Sequence, residues 1–150
     1  MARPLARLAR RVEVVDISPG VLACARAMYQ ADNISYLTPV ELARRSGLVD
    51  VAYLFAVWQR HGTPVLTDAL QLVARKVVSS GTLLLHISVP GDQGWRGERG
   101  RPGDQPTAQI QAAVAAAGFT NATARSLAGT MVVPDHDAIA HHHLLTARRP

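Results

Sequence analysis

Cysteine, lysine and aromatic residues are scarce in this chain, and each scarcity removes a class of explanation. Cys24 is the only cysteine in 150 residues, so no internal disulfide can form; a single thiol fits a reducing compartment, and the cytoplasm is the expected location. Cys24 shares a helical face with Val21, Ala25 and Met28, so it reads as a small buried hydrophobe rather than a nucleophile. Aromatic residues make up 5% of the chain, and Lys76 is the only lysine among its 16 basic residues. No apolar run is long enough to span a bilayer. Arg3, Arg7, Arg10 and Arg11 open the chain, but no apolar core of a signal peptide follows them. Neither a secretory signal nor a membrane partner is expected.

What is present reads as globular. The chain is 48% hydrophobic and 18% charged, and its length suits one domain over residues 1–150. A net charge of +5 and a pI near 10.3 raise the question of a nucleic-acid partner. The arginines fall in scattered short groups, at the N-terminus, at Arg44 with Arg45, from Arg96 to Arg101, and at Arg148 with Arg149. No aromatic residues interleave with them in the sequence, as a base-stacking platform requires. The charge therefore reads as solvated surface, and nucleic acid is disfavoured.

Hydrophobic periodicity alternates between strand and helix along the chain. Leu5, Leu8 and Val12 recur at helical spacing among the first arginines. A strand from Val12 to Ile17 leads into a helix from Pro19 to about Ala31 with Val21, Leu22, Ala25 and Met28 on its apolar face. Asp32-Asn33 is turn chemistry, Ile34 to Leu37 a short strand, and Pro39 to about Ser46 a short helix or turn. Val49 to Val57 is nearly continuous in apolar residues, as a strand covered on both faces is. A helix is expected from Thr63 or Pro64 to about Val78, with Leu66, Leu70, Val73 and Val77 inward. Ser79-Ser80-Gly81 reads as a turn into a strand from Thr82 to Val89. A glycine-rich loop from Pro90 to Pro106 carries Asp92, Trp95, Glu98 and Asp104 and is a candidate lid. Its five G-X-Y triplets hold too little proline for a collagen helix. A helix from Thr107 to Ala117 ends at Gly118, followed by strands from Phe119 to Leu127 and from His141 to Arg149. The last has no strong helix before it and is expected to pair antiparallel at the end of the sheet. Of its histidines, only His141 and His143 share a face; with His136 they read as an edge-strand cluster, and no metal is expected. The fold class is α/β, doubly wound and Rossmann-like, with a largely parallel sheet.

The most informative stretch is Val12-Glu13-Val14-Val15-Asp16-Ile17-Ser18-Pro19. An apolar strand ends in a carboxylate, and a Ser-Pro helix start follows at once. Doubly wound folds present such a carboxylate to a ribose diol at the carboxyl end of the sheet, where ligands bind. The competing reading is a strand-end aspartate that accepts a hydrogen bond from a neighbouring turn.

Taken together, these pieces resemble the class I S-adenosylmethionine-dependent methyltransferases over nearly the whole chain. "VEVVDISPGVLACAR" is similar to the family's second strand and following helix, "VDVAYLFAVWQRH" to its fourth strand and loop, and "LVARKVVSSGTLLLHISV" to its fifth strand with the helix before it. "AAAGF" and "HHHLLTARRP" resemble the segments around its two terminal strands. The resemblance implies S-adenosyl-L-methionine as cofactor and a small-molecule methyl acceptor. It implies that Asp16 accepts from both ribose hydroxyls, that Ile17 packs on the adenine, and that Leu54, Phe55 and Ala56 line the cleft where methionine and acceptor meet. Trp58 and Gln59 would face the acceptor, and His61 is the nearest candidate for a general base where one is needed. On its residues alone His61 reads rather as a solvent-facing loop histidine, and Trp58 as a packing residue at the rim.

Two departures from the family pattern have consequences. The acidic residue that often meets the adenine amine is absent from Leu37-Thr38-Pro39-Val40. The family's first strand and its glycine-rich turn are not found, so the chain is expected to be truncated at its N-terminus. In the implied order, 3-2-1-4-5-7-6, the missing strand lies mid-sheet, and its loss bares the edges of the strands at Val12 and Val49. Three arrangements satisfy those edges: direct pairing of the two strands, a strand supplied by another chain as in a homo-oligomer, or an upstream segment. A non-catalytic remnant or interaction module with this fold is the alternative to an active enzyme.

Overall fold

In the computed structural model of the chain, the described residues are 2–55, 57–88, 107–127 and 142–150. They fall into two compact units, Met1–Ser46 and Gly47–Pro150.

In the first unit the apolar alternation of Val12 to Val15 and Ile34 to Leu37 builds two parallel strands, β1 (Val12–Val15) and β2 (Ile34–Leu37), in register from Val12 with Ile34 to Val15 with Leu37. A short helix, α1 (Ala2–Ala6), precedes them; the Asn33 side chain donates to the Ala6 and Ala9 carbonyls and ties its end to the turn before β2. Helix α2 (Pro19–Met28) starts where the sequence places it, with Pro19 in the first turn and Ser18 Oγ accepting from Val21 N–H at 3.3 Å. Helix α3 (Pro39–Arg44) carries a full capping box between Thr38 and Glu41. Leu22, Tyr36, Leu37 and Leu42 are buried. Glu13 is buried too, against Arg45 at 3.4 Å and Arg11 at 3.5 Å.

Here the expectation for α2 needs correction. Of the inward face read from periodicity, only Leu22 is buried; Val21 and Met28 are exposed. Cys24 is also exposed, its thiol directed at Met28 Sδ 3.7 Å away. An amphipathic stripe buries only where another layer meets it, and β1–β2 is two strands wide.

The second unit holds β3 (Val49–Leu54), β4 (Val77–Ser88), β5 (Thr120–Ser126) and β6 (His142–Arg148), in the order β3-β4-β6-β5. β3 and β4 are parallel, and β6 lies antiparallel to both of its neighbours, as expected; it runs between β4 and β5 rather than at the end of the sheet, so His142 and His143 do not stand on an edge strand. The implied order with its first strand removed leaves 3-2 and 4-5-7-6, the pairings found in these two sheets, where β1 and β2 stand for strands 2 and 3. Helices α4 (Val57–Ala74) and α5 (Thr107–Ala116) contribute Leu66, Leu70, Ile110 and Val114 to a core shared with Leu83, Leu85, Ile87, Phe119, Leu145 and Ala147. Gly118 closes α5 with φ +90°: its N–H donates to Ala115 and that of Phe119 to Val114, the two bonds of a Schellman cap.

Three boundaries differ from the sequence reading. Strand β3 stops at Leu54, its last pairing with Leu85, and α4 begins at Val57 rather than at Thr63 or Pro64. Pro64 signalled a helix start, but the helix runs through it without the N–H that would reach the Arg60 carbonyl. Ser79-Ser80-Gly81 lies inside β4 rather than in a turn before it. The register on β3 jumps from Val49–Val77 to Val51–Thr82, so these residues form a bulge. Ser80 takes φ 66°, its N–H donates to the Arg149 carbonyl at 2.7 Å, and Arg149 N–H returns to Gly81 at 3.0 Å. Pairing with a residue far along the chain keeps the segment in the sheet. The glycine-rich loop, His136 and His141 lie outside the described residues.

Candidate cofactor and acceptor residues

Asp16 stands just past the carboxyl end of β1. Its backbone N–H continues the ladder to the Leu37 carbonyl at 3.2 Å, and its Oδ1 accepts from Ser18 N–H at 2.8 Å. Both readings of the sequence thus concern the same side chain: one carboxylate oxygen braces the start of α2. The other, Oδ2, meets no donor among the described residues. Ile17, beside it, is 66% exposed. A half-buried carboxylate with open acceptor capacity, next to an exposed apolar side chain, has the chemistry for a sugar diol and the flat face of a base.

A separate cleft of about 340 Å³ in the first unit includes neither residue. Arg26, Asp32, Tyr36 and Arg45 are among those that line it. Its guanidinium groups are engaged: Arg26 donates to the Tyr36 carbonyl at 3.2 Å and lies 5.9 Å from that ring's centre, while Arg45 pairs with Glu13. Glu41 nearby is held below the ordinary carboxylate range, first by the Thr38 backbone N–H and then by the Thr38 hydroxyl.

In the second unit the residues named from the "YLFAVWQRH" stretch separate. Leu54 is turned into the core and Phe55 outward, 53% exposed. Ala56 lies outside the described residues. Trp58, Gln59 and His61 stand on the first two turns of α4 rather than in a loop, and their side chains are outside what is described. Sequence reasoning missed His86. It lies on β4 with its ring stacked on Phe55, centroids 4.8 Å apart and planes at 21°, and is only 7% exposed. The signal was one imidazole inside the apolar run Leu83–Ile87. Tyr53 also borders Phe55, at 6.0 Å and 51°, and partial burial raises its hydroxyl pKa above the ordinary value. Among the described residues no three histidine, cysteine or acidic side chains gather as a metal site, and no helix is long and apolar enough to cross a membrane.

Neither a family model nor a curated protein matches the chain. Solved structures do. The chain is similar to the TehB-like SAM-dependent methyltransferase from Corynebacterium glutamicum over 99% of its own length and 73% of that chain, with TM-score 0.68 and 10% identity. It is similar to the N-methyltransferase NodS from Bradyrhizobium japonicum in complex with S-adenosylhomocysteine over 99% and 71%, with TM-score 0.67 and 16% identity. With a SAM-dependent methyltransferase from Mesorhizobium loti it shares 17% identity over 97% and 85%, at TM-score 0.62. The chain has the class I S-adenosylmethionine-dependent methyltransferase fold. At these identities the likeness concerns shape. In this chain Asp16 follows β1 and Phe55 follows β3.

Proposed function

We propose that this chain is an S-adenosylmethionine-dependent methyltransferase domain, acting in the cytoplasm on a small-molecule acceptor. The observation that carries the reading is Asp16: a carboxylate at the carboxyl end of β1 whose Oδ2 remains open to new donors, beside exposed Ile17, in a chain of this fold. Asp16 would take the two ribose hydroxyls and Ile17 one face of the adenine. Phe55 would border the methionine side, with Leu54 contributing only backbone because its side chain belongs to the core; Ala56 would line the same cleft. Trp58 and Gln59 would meet the acceptor.

When bound, the cofactor supplies a methyl group already activated on a sulfonium, so the protein needs little acid–base chemistry. Its residues hold donor and nucleophile in line and keep water away. His61 would accept a proton only from an acceptor that must lose one.

A second reading is supported by the sheet edges. Among the described residues, β1 pairs only with β2 and β3 only with β4, so each keeps one open edge. The family's first strand and glycine-rich turn, on which the backbone approaches the methionine end, would supply a partner for those edges. Without that strand, whether in an upstream segment or from a second copy, we expect a non-catalytic module of the same fold. Calorimetry with S-adenosylhomocysteine separates the two. Binding supports the enzyme; no heat up to about millimolar ligand, where the binding free energy is only ~4 kcal/mol, supports the module. Sedimentation would register a dimer built through the open edges.

A further inference from the structure

His86 is a buried imidazole, 7% exposed, and the proposed mechanism gives it no task. It is also on the side of the sheet opposite the core. Leu83, Leu85 and Ile87 point into the packed layer of α4 and α5, so His86, between them in sequence, projects from the other face. On that face Val51, Tyr53 and Phe55 remain exposed. His86 is nonetheless buried, and one cause is plain: the Phe55 ring lies over it at 4.8 Å, nearly parallel. Phe55 itself follows the last residue of β3, and β4 runs parallel to β3, so both rings sit toward the carboxyl end of the two strands. That is the end at which doubly wound sheets bind ligands.

We propose that His86 is a positioning residue: it backs the Phe55 ring, so that the outer face of Phe55 and the adjoining Tyr53 ring form a fixed aromatic wall that selects a planar, aromatic acceptor. The inference rests on the methyltransferase reading for the word acceptor, and on the ring geometry alone for the wall. An exposed phenylalanine without a backing ring would sample several rotamers and lose entropy on meeting a ligand. One face of Phe55 is held by the imidazole, and Tyr53 approaches at 6.0 Å with a 51° tilt. A planar ligand stacked on the remaining face would gain the offset ring contact that aromatic quadrupoles favour. A saturated ring of the same size gains only contact area there.

The test uses the full chain, with 2-naphthol and its saturated counterpart decahydro-2-naphthol as probes, read by chemical shifts of the Phe55 and Tyr53 ring protons. We expect 2-naphthol to move both sets and to bind at least tenfold more tightly than the saturated alcohol. His86→Leu keeps an apolar volume but removes the stack; it should weaken 2-naphthol at least fivefold and erase the ring-current shift on Phe55, while His86→Phe restores both. Phe55→Leu, at an exposed position, should abolish the preference for the flat probe even if the His86 variants fail to fold. Equal binding of the two probes, or wild-type affinity in His86→Leu or Phe55→Leu, overturns the proposal. S-adenosylhomocysteine binding without a naphthol preference refutes the wall and leaves the cofactor reading standing; the reverse result refutes the cofactor reading and leaves the wall.

Discussion

Replacing Asp16 by asparagine and by alanine separates its two roles. In the structure Oδ1 accepts one hydrogen bond, from Ser18 N–H at 2.8 Å, while Oδ2 meets no donor among the described residues. Asparagine keeps an oxygen for Ser18, so Asp16→Asn should stay within about 0.5 kcal/mol of the parent in urea unfolding. Alanine removes a bond to a charged acceptor at a half-buried site and should lower stability by about 1 kcal/mol. For the cofactor the two substitutions should be alike. A carboxylate offers acceptors to both hydroxyls of a ribose; asparagine loses the charge and turns one acceptor into a donor. A charge-assisted hydrogen bond contributes about 1.5–3 kcal/mol, so affinity for S-adenosylhomocysteine should fall roughly 10- to 150-fold in either variant. Isothermal calorimetry on the three proteins reads the affinity, and denaturation on the same samples reads the stability. If Asp16→Asn binds within threefold of the parent, Asp16 is a turn residue and nothing more. If the parent gives no heat, the ligand role fails at the first step.

Gly81→Ala should destabilise the second unit by about 1–3 kcal/mol, measured as a lower urea midpoint. Its Cβ would meet Val77 Cγ1, the Val78 carbonyl at 2.8 Å and the Asp50 carbonyl at 3.0 Å, and backbone oxygens cannot move aside. Gly118→Ala has open space around its Cβ but a φ of +90°, so its cost, about 1–2 kcal/mol, should come from backbone strain alone. The same denaturation series would show both. Thr38→Ala removes the hydroxyl but keeps the backbone N–H, the larger of the two causes, so the Glu41 pKa should rise only part of the way toward 4.5. Because the folded value is depressed, Glu41 supports the fold above the ordinary carboxylate pKa, and that support is lost as pH falls through the folded value. An NMR titration in which Glu41 does not move between the two proteins would contradict the capping geometry.

Local signals explain what could be read early. The start of α2 follows from Ser18 and Pro19, the start of α3 from Thr38, Pro39 and Glu41, and the end of α5 from Gly118, because caps depend on a few neighbouring residues and on backbone angles. Alternation of apolar residues placed all six strands in order along the chain, and the resemblance implied their pairing.

The exceptions all depend on distant partners. Ser80 and Gly81 remain in β4 because Arg149 pairs with them, a contact that no local turn propensity contains. Cys24, Val21 and Met28 look inward by periodicity but are exposed, since a stripe cannot show which layer covers it. His86 is buried in part because Phe55, just past the end of β3, lies over it. The sequence by itself determined which elements form and where a carboxylate leaves the sheet. Only the tertiary structure decided which faces are dry and which rings meet, because burial belongs to pairs of elements rather than to either alone.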